Sequence, residues 1–539
     1  MINRLQLKSR SEINLVKTTR RVSVFCAGLV LSLGLNLGLG LASPGLADRV
    51  IEHKLANGLT VLMVERHQTP VVSINMTFGV GGVNEQVGQT GLAHLYEHMA
   101  FKGTRTVGTK DYAKEKPILD ELHRIGTELE QRQRDLATRG PEMPVAADER
   151  VTIDALKTRF KSLQDQAVRY VAGNEMALLY QRHGGVGLNA ATGKDLTRYM
   201  ISLPSNRLPL WAAIEADRMA NPVLREFYKE RGVVMEERRL RNDDSPTGLL
   251  FETFTSAAFR AHPYGIPTIG WESDILSLTP AETEAFFKTY YGPGRATIGI
   301  VGDINPKELI ELIENTFGKI PVAPPPPQIM TVEPAQRGER RVEVEFDAEP
   351  SLAIGYHKPG IGHPDDYVFD VIDEILTDGL TSRLYSKLVR ESRLAASVNS
   401  DSNYPGVRAP NLFVLHATPL APHTTAEVEA ALLAELERLK SEPVSAKELE
   451  RVVNNLDADM VRALRSNSGL ASQLALYQTV AGDWRYVLKA RDKVAAVTPA
   501  DIQRVAKRYL TKSNRTVATL IKKVAANQLA KTASGEVAR

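Results

Sequence analysis

Two segments, opening at Leu278-Thr-Pro-Ala-Glu and Val497-Thr-Pro-Ala-Asp, run in step with each other, and they restrict the fold more than any other feature of the 539 residues. In each, Thr stands immediately before Pro and Tyr follows that Thr by eleven residues, at Tyr290 and Tyr509. An apolar run led by Arg comes next, Arg295-Ala-Thr-Ile in one copy and Arg515-Thr-Val-Ala in the other. Both read as helix, short loop, strand, which predicts a duplicated α+β domain. Between the copies, Pro321 to Pro327 is proline-rich and the chain stays polar to Arg340, so 321–340 reads as a linker. The expected domains are then 48–320 and 341–525, with a polar tail over 526–539.

Residues 1–47 stand apart. Arg4, Lys8, Arg10, Lys17, Arg20 and Arg21 make a basic start, Val22 to Ala42 is apolar, and Gly45-Leu46-Ala47 offers small residues for cleavage. This is the pattern of an export signal, and the protein is expected to be periplasmic or secreted; it meets a membrane only if the segment is retained. Removing six basic residues and one acid, Glu12, takes the formal charge from +3 to −2. A mature chain of that charge carries no basic footprint for nucleic acid. Its only cysteine, Cys26, leaves with the signal and lacks the small residues that precede a lipidated cysteine. An exported protein without disulfides depends on its core for stability, and no structural cysteine–zinc site can form.

Val50 to His53 and Leu59 to Glu65 flank Asn57-Gly58, a hairpin signal, and Val71 to Phe78 reads as a third strand. About 111–180 is highly charged and helical in pattern. Leu122, Ile125, Leu129 and Leu136 form one apolar stripe, Leu156, Phe160, Leu163, Ala167 and Tyr170 another, with Gly140 to Pro144 between them. The prediction is an antiparallel helical hairpin inserted in the first domain, either packed on it or serving as a lid or partner surface.

The chemistry lies in His94-Leu95-Tyr96-Glu97-His98. Residues four apart project from one face of a helix, so His94 and His98 can reach one ion with Glu97 beside them. Neutral imidazole is a common zinc ligand, and a carboxylate next to a zinc site can take a proton from water. Thr90 is a plausible N-cap, Gly103 can end the helix, and Leu92, Leu95, Tyr96 and Met99 form its apolar stripe. A hydrolytic zinc site needs a further ligand. Pro222 to Arg241 reads as a helix beginning at Pro222, on which Glu230 and Glu237 lie seven apart on one face; Glu226 and Glu236 are weaker candidates.

Thr-Gly-Leu-Ala-His-Leu-Tyr-Glu-His-Met-Ala-Phe-Lys-Gly-Thr, together with Glu230-Arg-Gly-Val-Val-Met-Glu-Glu237, resembles the pitrilysin family of zinc peptidases, whose motif has the inverted zincin order. The resemblance extends to Asn189-Ala190-Ala-Thr192, Ala216-Asp-Arg-Met219, Pro263-Tyr264 and the duplicated domains. It implies two pitrilysin-like α/β-sandwich domains in tandem, one Zn²⁺ held by His94, His98 and Glu237, and Glu97 as general base. Glu230 falls on the carboxylate that stands behind the ligands, where it can accept an imidazole N–H. Asn189 and Ala190 fall on the strand edge to which a peptide substrate adds.

One departure bears on assembly. The family's second half usually presents an Arg and a Tyr seven residues apart, and the matching positions here are Val389 and Ala396, neither able to donate a hydrogen bond from its side chain. Arg390 and Arg393 are offset by a turn of about 100° per residue on a helix. The resemblance implies a clamshell of four related domains, of which this chain supplies two. The reading is therefore a zinc endopeptidase subunit acting on extended peptides, paired with a related subunit that provides the Arg and Tyr. The alternatives are a noncatalytic peptide-binding or assembly subunit and a zinc hydrolase of non-peptide substrates.

Overall fold

The computed structural model describes residues 45–139 and 146–523. The leader expected over 1–47 lies almost wholly outside the described residues, as do the hairpin turn Gly140 to Pro144 and the tail 526–539. Asn57-Gly58 turns the chain between β1 (Ile51–Lys54) and β2 (Thr60–Glu65), which pair antiparallel, and β3 spans Val71–Phe78, as the sequence predicts. With β4 (Val186–Thr192), β5 (Thr197–Pro204) and β6 (Ala296–Gly302) they form a sheet of order β1-β2-β6-β3-β5-β4. A second sheet contains β7 (Arg340–Phe346), β8 (Ser351–Lys358), β9 (Ala395–Tyr404), β10 (Asn411–Pro419) and β11 (Arg515–Lys522), ordered β7-β11-β8-β10-β9. Leave out β1, and the second order repeats the first with every strand number raised by five. The parallel pairs also correspond, β2 with β6 and β7 with β11.

The repeat seen in the sequence is the part that builds each parallel pair. Thr279 and Thr498 cap the helices Pro280–Tyr290 and Pro499–Tyr509; each hydroxyl accepts the N–H of the acid three residues on, Glu282 or Asp501, whose carboxylate accepts the Thr N–H in return. Proline at the first helical position costs nothing there, because that N–H has no partner inside a helix. One short 3₁₀ turn then leads into β6 or β11.

Helices cover the outer faces reciprocally. Leu470, Ala471 and Leu474, on the second half's helix Asn467–Ala481, pack on Leu62, Val64 and Val301 of the first sheet. Leu250, Phe254 and Ala258, on the first half's helix Pro246–Ala258, pack on Val344, Ala353, Leu412 and Val414 of the second. A Cβ at Gly299 would stand 2.2 Å from the Ala471 carbonyl oxygen, so only glycine in β6 lets that helix lie so close. Residues 321–339 carry neither helix nor strand, yet Glu333 accepts the N–H groups of Arg260, Ala261 and His262 and pins the segment to the first half.

Tyr112–Thr138 and Ala147–Ala167 are the two helices of the expected hairpin, and Leu122, Ile125, Leu129, Leu163 and Ala167 are buried where their stripes meet. Tyr170, expected on the second stripe, falls in the 3₁₀ turn Val168–Tyr170. Among the described residues no helix is long and apolar enough to cross a membrane.

In the second half, the helix Pro364–Thr377 stands between β8 and β9, where the first half has its histidine motif, and presents carboxylates instead. Asp366 pairs with buried Lys358, Ser402 donates to Asp370 at 2.9 Å, and Ser400 donates to Asp373. Burial pushes Asp370 up to about 6 and Asp373 up to about 7. An unfolded chain releases the Asp373 proton near pH 4, whereas the folded chain keeps it to about 7, so this group makes stability fall as pH rises through that window. Asp373→Asn, which still accepts from Ser400 and cannot ionise, should therefore raise the melting temperature more at pH 8 than at pH 5. Thermal unfolding at both values checks this; an equal shift at each would mean that Asp373 titrates normally.

Candidate metal centre

Leu92–Met99 forms the motif helix, with Leu92, Leu95, Tyr96 and Met99 buried as the stripe requires. Its start differs from expectation. Gly91, at φ +91°, precedes the first turn, and a Cβ there would lie 2.6 Å from the Ile269 carbonyl oxygen. Thr90 does not cap the helix: its hydroxyl donates to Asp274 at 2.7 Å and accepts the Trp271 N–H. The buried Glu85 carboxylate does so instead, accepting the N–H groups of Gly91 and Ala93 at 2.8 and 2.7 Å. A carboxylate suits the positive end of a helix. Burial nonetheless pushes Glu85 up to about 8. The helix ends at Met99, ahead of Gly103.

Glu230 and Glu237 lie on one helix, Phe227–Arg238, which begins five residues later than the sequence suggests. Pro222 is held in a bridge with Thr104, Arg225 is buried against Glu115, and Glu226 adopts a left-handed conformation before the first turn. These tertiary contacts hold 222–226 out of the helix.

The two helices bring His94, His98 and Glu237 together, with ligand atoms of all three within 4.8 Å of one another. Glu237 Oε2 is 3.7 Å from His94 Nε2 and 3.3 Å from His98 Nε2. Donors around a tetrahedral zinc with bonds of about 2.1 Å stand about 3.4 Å apart, so two imidazoles and a carboxylate at this spacing fit that ion. Glu230 stands behind: its Oε2 is 3.5 Å from His98 Nδ1, and its Oε1 is 2.5 Å from Lys102 Nζ. Arg241 holds the other Glu237 oxygen at 2.7 Å. The weaker candidates are occupied elsewhere, Glu226 with Lys102 and Lys229 and Glu236 with Arg239.

The electrostatics suit ligation. Burial, then the neighbouring His98 charge, lowers His94 to about 4, leaving it neutral with a lone pair available. At His98 burial acts downward, but the hydrogen bonds to Glu230 and Glu237 prevail and raise it to about 9. Burial likewise opposes ionisation of Glu237, and is outweighed by His98, His94 and Arg241, which hold the carboxylate down to about 2. The two acids around His98 make a place where a cation is stabilised, whether proton or metal. Glu97 is not part of the converging set. Burial raises its pKa, against the hydrogen bond it accepts from Thr192 Oγ1 at 2.5 Å.

Thr192 ends β4, one of the two edge strands of the first sheet. Asn189 and Ala190 lie on the same strand, paired on one side only, with Met200 and Tyr199 of β5. Asn189 is exposed and Ala190 half-buried. Val389 turns against the second core, Ala396 is exposed on the outermost strand β9, and the exposed Arg390 pairs with Glu391. Sequence reasoning missed Lys102, Arg241, Thr192 and Glu85. Lys102 and Arg241 carried a signal, each four residues after its site residue, His98 or Glu237.

Two family models match the chain, the insulinase model of peptidase family M16 over 60–129 and 166–272 and the peptidase M16 inactive domain over 277–456. The gap at 130–165 falls within the helical hairpin. The zinc protease PqqE of Helicobacter pylori is 28% identical over 475 residues, 86% of this chain and 91% of that protein. The crystal structure of a protease from Helicobacter pylori has a TM-score of 0.72 at 27% identity, covering 87% of this chain and 99% of that one. The periplasmic protease PqqL of Escherichia coli has a TM-score of 0.64 at 17% identity, with 91% of this chain spanning 50% of it. Two M16-type domains in tandem, matched family models and a zinc protease as relative make this chain a member of the pitrilysin family, peptidase family M16, of roughly half size.

Proposed function

We propose that this chain is the zinc-bearing subunit of an exported endopeptidase that cleaves extended peptides. The observation that carries the reading is the convergence of His94, His98 and Glu237 beside a carboxylate, Glu97, tied to an open strand edge. His94, His98 and Glu237 would hold the ion. Zinc, when bound, supplies Lewis acidity, acidifying water and polarising a carbonyl. Glu97 takes the proton of the attacking water on Oε1, since Oε2 is engaged by Thr192, and returns it to the leaving amine. Glu230 orients the His98 ring through Nδ1, and Lys102 keeps Glu230 ionised. The peptide pairs with the free edge of β4 through backbone hydrogen bonds, which recognise an extended chain largely regardless of side chains.

A noncatalytic role gains no support from the inactive-domain match: it covers 277–456, and none of His94, Glu97, His98 or Glu237 lies there. The basic, then apolar, N-terminus supports export. Val389 and Ala396 leave the second half without side-chain donors at the two family positions, so a related subunit with Arg and Tyr is proposed as partner.

The test is a denatured peptide mixture, read by mass spectrometry, incubated with the zinc-loaded chain alone and with that partner. The chain alone should cleave weakly; the partner should raise the rate about 10²- to 10³-fold, the scale of one oxyanion donor, and chelation should abolish it. Full activity from the chain alone, with no co-purifying subunit, would sink the two-subunit proposal. No cleavage by the zinc-loaded pair would sink the peptidase itself.

A further inference from the structure

We infer that Thr192 is a positioning residue for Glu97, its hydroxyl deciding which carboxylate oxygen faces the reacting water and tying the base to the strand where a peptide would lie. The inference rests on the proposed peptidase reading. A carboxylate only accepts, so the 2.5 Å contact uses the single proton of Thr192.

The distances around the hydroxyl show where that proton goes. Thr192 Oγ1 is also 3.4 Å from Thr197 Oγ1, and Thr197 lies 3.0 Å from the Val80 carbonyl oxygen and 3.1 Å from the Tyr291 hydroxyl. A carbonyl cannot donate, so Thr197 gives its proton to Val80, while the Tyr291 hydroxyl also has the Ala93 carbonyl oxygen at 3.4 Å as an acceptor; Thr192 is left with Glu97 Oε2 at 2.5 Å or Thr197 Oγ1 at 3.4 Å, and the shorter contact takes its proton. With Thr192 donating to Oε2 throughout the cycle, the transferable proton resides on Oε1. Without this anchor the carboxylate rotates about the three bonds of its side chain.

The anchor also has a direction. Thr192 follows Asn189 and Ala190 on a strand held by β5 alone. A peptide pairing with the outer side of β4 stiffens the strand that carries the hydroxyl, so the base is best aligned when substrate is present. The fold itself favours such links: Ser402 and Ser400 of β9 donate to Asp370 and Asp373 on the corresponding helix of the second half. A purely structural latch is thus the competing explanation, and the experiment must separate the two.

Thr192→Val keeps the shape and loses the proton; Thr192→Ser keeps the proton. In the zinc-loaded full chain with its partner subunit, the Val variant should lose about 10- to 100-fold in kcat, the scale of a misplaced catalytic group, with KM within about twofold. The Ser variant should retain most of kcat, and both should keep one zinc per chain and an unchanged melting temperature. In crystal structures of the zinc-loaded variants, the Glu97 carboxylate should leave its place with Val and hold it with Ser. Normal kcat in the Val variant, equal damage from Ser and Val, or an unmoved Glu97 in the Val structure would each overturn the inference. If no peptide is cleaved by the wild-type pair, the failure belongs to the peptidase reading, and the crystal structures still judge Thr192.

Discussion

Glu97→Gln is expected to keep one zinc per chain and to lose about 10²- to 10⁴-fold in kcat, the range assigned to general acid–base catalysis. Gln has nearly the same shape, and its carbonyl oxygen can accept the Thr192 hydroxyl as Glu97 Oε2 does. Its amide nitrogen then occupies the place of Oε1 and cannot take a proton from water at neutral pH. The metal should be indifferent to the change, because the converging ligand atoms come from His94, His98 and Glu237. Burial also raises the Glu97 pKa, bringing the carboxyl nearer to the pH at which it must both accept and release a proton. Zinc content by elemental analysis and kcat on a fluorogenic peptide, with the partner present, check the expectation. A Gln variant that turns over at the wild-type rate would transfer the role of base to another group.

What the sequence made legible was local or repeated. Asn57-Gly58 set the first hairpin, the Leu92, Leu95, Tyr96 and Met99 stripe set the buried face of the motif helix, and the Thr-Pro repeats set two capped helices and the strands after them. The tandem pitrilysin-like architecture followed from that repeat together with the family resemblance. Long-range contacts were not legible. Glu85 caps the motif helix from a buried position before it, so Thr90, the better local candidate, is free to serve Asp274. Phe227 starts its helix late because Pro222 and Arg225 are claimed by Thr104 and Glu115. The reciprocal packing of Ala471 on β6 and Phe254 on the second sheet joins residues that no periodicity relates. Among the site residues, His94, His98 and Glu237 converge, and all three were singled out from spacing and resemblance. Thr192 lies within Asn189-Ala190-Ala-Thr192, but a hydroxyl gains a role only when the strand brings it to the carboxylate.

Glu230 and Glu237 share a helix but should part in their metal chemistry. Glu237 Oε2 faces the Nε2 atoms of both histidines, so Glu237→Ala removes one of the three proposed ligands and leaves two imidazoles near the Arg241 guanidinium. Two neutral donors next to a fixed positive charge are a poor site for a dication, and this variant should lose its zinc and all measurable hydrolysis. Glu230 faces Nδ1 of His98, on the side of the ring away from Glu237. Its removal leaves His94, His98 and Glu237 in place but takes away the acceptor that orients one ring, for which the usual cost is about 10- to 100-fold in metal affinity. Lys102 would lose its 2.5 Å partner yet keep Glu226 at 3.3 Å, which limits the disturbance to the site. Zinc retained after dialysis against chelators of graded strength should rank wild type first, Glu230→Ala second and Glu237→Ala last. If Glu230→Ala empties the site while Glu237→Ala still holds zinc, the two carboxylates have been assigned each other's roles, and the ion must sit on the Nδ1 side of His98.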